Sequence, residues 1–177
     1  MTARKRSTQR KPKDAIALLV QDHKKVQKLF KDFEKLGEDD EEAKGELCSQ
    51  ICAELKIHTT IEEEIFYPAM REAMEDQDML DEAEVEHASA KELIAQLEGM
   101  KPGDDLFDAK VTVLGEYINH HVKEEQNEMF PEAKKTEVDM VALGEELMAR
   151  KLECQQEMGL AAEEQGEEEQ EEAKEER

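Results

Sequence analysis

The chain contains five histidines, and two of them open the same pattern. His58, Glu62 and Pro68 read H-x3-E-x5-P, and His121, Glu125 and Pro131 read the same. An aromatic residue sits beside each proline, Phe66 and Tyr67 in the first copy and Phe130 in the second. Residues four apart share a face of an α-helix, so each copy presents an imidazole and a carboxylate to the same place. That donor pair suits a divalent transition ion, since neutral imidazole nitrogen and carboxylate oxygen both coordinate such metals. A repeated pattern implies a repeated half-site, which the pseudo-twofold symmetry of a helical bundle can bring face to face.

Four amphipathic stretches must position these groups. The first covers about residues 14–37, from Asp14 as N-cap to Gly37, with Ile16, Leu19, Val20, Val26, Phe30, Phe33 and Leu36 in phase. The second covers about 41–67, closed by Pro68, with Leu47, Ile51, Leu55 and Ile65 in phase. The third covers about 78–99, with Leu80, Ala83, Ala90, Ile94 and Leu97 in phase, and the 101–104 segment K-P-G-D follows as a turn. The fourth covers about 105–130, closed by Pro131, with Phe107, Val111, Leu114 and Ile118 in phase. A shorter helix over about 137–153, capped by Thr136, comes after it. Strand signals are absent. The predicted fold is all-α, an antiparallel up-down-up-down four-helix bundle with a short additional C-terminal helix.

The apolar stripes are interrupted at informative places. His23 lies four after Leu19 and three before Val26; His58 lies three after Leu55, with Glu62 four beyond it. His87 lies four after Ala83 and three before Ala90; His121 lies three after Ile118, with Glu125 four beyond it. Each bundle helix therefore turns one histidine inward, and two add a glutamate. His120 points about 100° away from its stripe. A buried carboxylate without a partner is costly, so it neutralises, pairs or binds a cation. No lysine or arginine lies on these stripes at these levels, which leaves metal; the metal-free alternative is a His–Glu hydrogen-bonded network filling the core.

Four imidazoles and two carboxylates are too many for one catalytic zinc and of the wrong type for calcium. They suit two octahedral ions, each taking two imidazoles, with both glutamates bridging. An oxo, hydroxo or water bridge completes five positions and leaves one open. An open position on a reduced iron pair invites dioxygen, peroxide or nitric oxide.

The motifs around His23, His58-Thr-Thr-Ile-Glu62, His87 and His121-Val-Lys-Glu-Glu125, with the flanking F-Y-P and M-F-P, resemble the hemerythrin-like (HHE cation-binding) family over about residues 14–152. The resemblance implies two non-haem iron ions, bridged by carboxylate and oxo or hydroxo groups, with His23, His58, Glu62, His87, His121 and Glu125 as ligands. It implies a protein that binds dioxygen or a related small molecule, for oxygen, redox or iron sensing or for storage; the alternative is a di-iron enzyme removing hydrogen peroxide or nitric oxide. One departure bears on this. The oxygen carriers of the family have two histidines four apart on the third helix, whereas here Ala83 and Lys91 flank His87 at that spacing. Glu84 is either a seventh ligand in an E-x-x-H arrangement or a surface carboxylate in the run Glu82, Glu84, Glu86. Losing a histidine turns the expectation from simple oxygen carriage toward sensing or redox turnover.

Composition sets the frame. With 177 residues, 40% charged, 4% aromatic and no tryptophan, the chain suits one helical domain with tails. A formal charge of −23 argues against nucleic acid binding at the folded body. No apolar run is long enough for a membrane span. Residues 1–13 carry Arg4, Lys5, Arg6, Arg10, Lys11 and Lys13 with no acidic residue and are expected as a disordered basic arm, not a secretory signal. The expected layout continues with the bundle at 14–133, the C-terminal helix at 134–158 and a disordered acidic tail at 159–177. Cys48, Cys52 and Cys154 read as buried free thiols of a cytoplasmic protein, with a redox switch as the alternative. Asp22, Tyr67 and Tyr117 are neighbours of the stripes with no role the pattern assigns, and Asp22 reads as a surface charge or the partner of a neighbouring helix.

Overall fold

The structure is a computed structural model that describes residues 14–160. The expected basic arm, and the expected acidic tail from residue 161 onward, lie outside the described residues. Every regular element among the described residues is helical. Helix α1 is Ala15–Glu34, with the Asp14 carboxylate accepting the Ala17 N–H at 2.7 Å as its N-cap. Helix α2 occupies residues 41–73, α3 is Asp78–Glu98, α4 occupies 107–133, and α5 is Met140–Glu157.

Helices α2 and α4 are each built in three parts, and the proline expectation needs correction there. In α2 an α segment Glu41–Ile61 passes into a π turn Glu62–Phe66 and then a second α segment Tyr67–Ala73. In α4 the segments are Phe107–Glu124, a π turn Glu125–Met129, and Phe130–Ala133. Pro68 and Pro131 do not close these helices; each enters the first turn of the segment after the π turn, where a missing N–H is tolerated. The Tyr67 N–H donates to the Glu62 carbonyl and the Phe130 N–H to the Glu125 carbonyl, five residues back in each case. The extra residue rotates everything beyond it, so Phe66, Tyr67 and Met70 are buried while Ile65 is only half-buried. A constant helical period misplaces Ile65 for that reason.

The last helix also starts later than expected. The Thr136 hydroxyl is committed to the Ala133 carbonyl at 2.7 Å, and Asp139 instead caps α5 by accepting from the Val141 and Ala142 N–H groups.

Helix α1 packs beside α2, α2 beside α3, α3 beside α4, and α4 returns to α1, while α5 lies across α1 and α2. This is the expected antiparallel bundle with an added helix. The apolar interior falls into two clusters. One holds Leu19, Ile61, Phe66, Leu80 and Phe130 and is extended by Leu143 and Leu147 of α5; the other holds Val26, Phe30, Ile51, Leu55, Ile94 and Leu114. Burial of these side chains is the main stabilising term of such a bundle. Between the two clusters lies a polar layer. Cys48, Cys52 and Cys154 are free and buried. No helix among the described residues is long and apolar enough to cross a membrane.

Candidate metal centre

All six residues picked out by the stripes meet in that layer, at most 6% exposed. His23 Nε2 lies 3.0 Å from His58 Nε2 and 3.2 Å from Glu125 Oε2. His58 Nε2 lies 3.2 Å from Glu62 Oε2. On the other side His87 Nε2 lies 3.1 Å from His121 Nε2 and 3.3 Å from Glu62 Oε2, and His121 Nε2 lies 3.4 Å from Glu125 Oε2. Glu62 thus stands between His58 and His87, and Glu125 between His23 and His121. Ligand atoms held about 2.1 Å from one ion and at right angles about it are roughly 3 Å apart, which is the spacing seen here. Two donor groups result, His23, His58, Glu62 and Glu125 in one, and Glu62, His87 and His121 in the other.

The opposite edges of the rings explain which nitrogen points inward. His87 Nδ1 is 3.0 Å from Glu63 Oε1, and His121 Nδ1 is 2.8 Å from Glu86 Oε2. His23 Nδ1 is 3.0 Å from the Gln126 side-chain amide, whose oxygen can be turned to accept from the ring. Asp22 Oδ2 faces His58 Nδ1 at 3.7 Å, and neither atom has a hydrogen-bond partner. A proton held on Nδ1 of His87 and His121 by Glu63 and Glu86 leaves their Nε2 atoms as bare lone pairs. These face the Nε2 atoms of the other two rings and two carboxylates in a buried layer. Glu62 Oε1 and Glu125 Oε2 likewise lack any hydrogen-bond partner. A buried cluster of acceptors with almost no donors is satisfied by cations, and the donor set fits two of them.

In the metal-free centre the two carboxylates shift in opposite directions. Burial, then repulsion from Glu125, pushes the Glu62 carboxyl well above the usual carboxylate range. Burial also works against charge on Glu125, but His121, His23 and His58 outweigh it and hold that carboxyl low. Burial drops His58 to about 4 despite Asp22. Burial opposes the charge of Asp22 too, yet His58 and Lys151 bring it down to about 2. Lys151 is the unexpected partner: this buried lysine of α5 donates to Asp22 Oδ1 at 2.7 Å and covers the α1–α2 side of the centre.

Tyr67 is a site residue that the helical stripe misses. Its hydroxyl donates to Glu125 Oε1 at 2.9 Å and lies 3.4 Å from Glu62 Oε2 and 3.3 Å from His87 Nε2. The π turn brings it there, because five residues after Glu62 is about one π turn and well off an α-helical face. The equivalent residue in α4, Phe130, stacks on His23 with centroids 5.9 Å apart. Glu84 does not approach the centre; it is exposed and pairs with Arg71 at 2.8 Å. Asp22 is the partner of neighbouring helices, and it is buried rather than on the surface. Tyr117 is half-exposed. His120 points outward, as its phase requires, and lies 3.1 Å from Glu124.

Space around the centre is small. A cavity of about 10 Å³ lies among His23, His58, His87, His121 and the apolar Val26 and Ile118. A second, of about 20 Å³, reaches His121 and Glu125 from between α3 and α4. Either holds about one water-sized molecule.

The family described as the Hemerythrin HHE cation binding domain matches residues 14–133. A solved hemerythrin HHE cation binding domain-containing protein from Mycobacterium kansasii superposes with a TM-score of 0.70 at 22% identity, covering 82% of this chain and 89% of that one. A curated protein from a Nostoc species, named DNA nickase, is 29% identical over 109 residues, which is 62% of this chain but 30% of that protein. The chain therefore spans less than a third of that relative's length.

Proposed function

We propose, from the premise that this chain belongs to the hemerythrin HHE cation-binding domain family, that it holds two non-haem iron ions and uses them to bind dioxygen or a related small molecule as a sensor or store. The ligands in this reading are His23, His58, Glu62, His87, His121 and Glu125. The observation that carries it is the pair of buried carboxylates, each shared between two histidines and each with an oxygen that no donor reaches. When bound, the iron pair supplies reversible coordination and one-electron redox chemistry toward small diatomic ligands and peroxide.

The chain's own groups supply the rest. Glu63, Glu86 and Gln126 orient the rings of His87, His121 and His23, and the Asp22 carboxylate stands behind His58. Apolar side chains above and below the layer exclude bulk water. The cavities leave room for a ligand near the size of a water molecule and exclude anything much larger. Nicking, the activity named for the Nostoc relative, is not carried over: the shared stretch is 30% of that protein, and a phosphodiester does not fit a centre this enclosed. A reducing cytoplasm suits the three free thiols.

The second reading, removal of hydrogen peroxide or nitric oxide, draws on Tyr67, whose hydroxyl puts an exchangeable proton 2.9 Å from Glu125. Protein purified without added metal is expected to carry two irons per chain, with an absorption spectrum that changes on admitting oxygen and reverses on its removal. Iron-free material that stays empty when offered ferrous ion anaerobically would end both readings. Peroxide consumption by loaded protein above a His58→Ala control separates the enzyme from the sensor.

A further inference from the structure

The two halves of the centre match in their interior and differ outside. Behind His58 stands Asp22, and behind Asp22 stands the Lys151 ammonium of α5. Behind His121 stands Glu86, and behind Glu86 is solvent. Glu86 Oε2 faces His121 Nδ1 at 2.8 Å while its Oε1 lies 3.6 Å from His120 Nε2, and His120 in turn lies 3.1 Å from Glu124 Oε1. These three side chains offer ligand atoms all within 4.8 Å of one another. One side of the centre is closed by a cation, and the other ends in two carboxylates and an exposed imidazole.

The cavity of about 20 Å³ between α3 and α4 opens beside two of these, Glu86 and Glu124, with His120 just outside its lining. Of its lining residues Glu82 and Glu128 are exposed, Glu86 and Glu124 half-buried, and His121 and Glu125 buried. Among the described residues no lysine or arginine pairs with Glu82, Glu86, Glu124 or Glu128. Carboxylates left unneutralised around a narrow cleft concentrate cations there and raise their rate of arrival. At the inner end, Glu125 Oε2 is 1% exposed at the residue level, has no hydrogen-bond partner and lies 3.4 Å from His121 Nε2. The cleft thus runs from surface carboxylates that no lysine or arginine neutralises to a buried one with an unpartnered oxygen.

We propose that Glu86, His120 and Glu124 form a docking site for a divalent cation, from which the ion passes through the α3–α4 cleft to His121 and Glu125. The proposal rests on the reading of the buried centre as a cation pair, and it adds the route by which that pair is filled. His120, which no interior role uses, is then the outermost ligand of the path. Glu86 serves both ends, one oxygen toward the docked ion and the other toward the ring of a buried ligand. On the opposite approach Lys151 already neutralises Asp22, so that carboxylate does not draw a cation.

The test follows uptake of Co(II) by metal-free protein in a stopped-flow instrument at low ionic strength, through the ligand-field absorption that appears as imidazole and carboxylate coordinate. Equilibrium dialysis gives the final stoichiometry, and thermal melting checks folding. The variants are His120→Ala with Glu124→Gln, both outside the buried ligand set, and Glu46→Gln as a control that removes one exposed charge from α2, beside Pro102 and outside the cleft lining. Wild type and both variants are expected to reach the same two equivalents, with the docking-site variant filling about tenfold more slowly and with weaker salt dependence. Equal rates in wild type and docking-site variant would overturn the route, as would equal slowing by Glu46→Gln, since charge alone would then suffice. A lower final occupancy in the docking-site variant would also overturn it by making these residues part of the buried centre. Absence of any uptake by wild type would remove the cation pair itself, a failure distinct from the others.

Discussion

Glu62→Gln is expected to stabilise the metal-free protein while removing its capacity for two cations. Glu62 is fully buried, and its Oε1 has no hydrogen-bond partner. Its Oε2 faces two histidine nitrogens at 3.2 and 3.3 Å, and Tyr67 OH is 3.4 Å away. Burial and the neighbouring Glu125 raise its pKa well above 4.5. A carboxyl whose folded pKa is raised favours the fold below its unfolded value and loses that contribution as pH rises through the folded value. The cost is therefore present at neutral and alkaline pH and absent near pH 4. An amide carries no charge, and its N–H can donate to an imidazole lone pair. A buried polar group without adequate partners costs about 1–3 kcal/mol and a charged one more, so the gain expected near pH 8 is at least about 2 kcal/mol, or roughly 4–8 °C in Tm for a chain of this size. Near pH 5 the gain shrinks. Urea denaturation of chelator-stripped protein at both pH values measures it, and anaerobic ferrous dialysis measures the lost equivalent. A metal-free variant less stable than wild type by more than about 1 kcal/mol at pH 8 would show that the carboxylate belongs to a self-sufficient hydrogen-bonded core, and the case for cations would fail.

Tyr67→Phe removes the hydroxyl 2.9 Å from Glu125 and is expected to lower metal-free stability by about 2 kcal/mol in urea denaturation, with two cations still bound in dialysis. Asp22→Asn strips Lys151 of the carboxylate 2.7 Å away; stability should fall by about 3 kcal/mol and cation affinity by roughly 10–100-fold. Adding Lys151→Met should restore much of the stability but little of the affinity, a split that a double-mutant cycle reads directly. At Gly115 a Cβ would already meet the Phe30 ring at 3.0 Å, so Gly115→Leu is expected to cost about 1–3 kcal/mol by thermal melting while leaving the stoichiometry intact. Co(II) titration is expected to fill the centre in two separable steps, the His87–His121 position first; His87→Ala should abolish the tighter step and His23→Ala the weaker one.

The bundle and its six inward residues were readable because an α-helix has a fixed period and the interruptions of each stripe fall in phase. The same fixed period hid what lies beyond the π turns. Nothing in a constant step of 3.6 carries Glu62 to Tyr67, and Pro68 and Pro131 look like stops until the widened turn makes room for them. The acceptors behind the rings were hidden for another reason. Asp22, Glu63, Glu86 and Gln126 are polar residues next to ligands on the helical map, and they reach rings on neighbouring helices. A signal was nonetheless present: an acidic residue precedes both His23 and His87, and Glu or Gln follows both Glu62 and Glu125. Lys151 had no such signal, because a lysine within an amphipathic helix does not announce whether it faces water or an aspartate.

These paired positions make the centre a duplicated motif with unequal surroundings. His87 and His121 each face a carboxylate, Glu63 and Glu86, which strengthens the imidazole as a donor to a cation. Lys91 shares Glu63 at 2.6 Å, but from an exposed position where its charge is well screened. In the other half His23 faces a neutral amide, and His58 faces an aspartate already offset by buried Lys151. Tyr67 breaks the symmetry again, since its hydroxyl stands beside His87 where Phe130 offers His23 only a ring face. A symmetric pair would share small ligands and electrons evenly; two cations placed here would be held at different strengths, with the open cleft on the stronger side. Inequivalence of that kind suits a centre that discriminates between one-ion and two-ion states, and it follows from which residues stand behind the rings rather than from the ligands themselves.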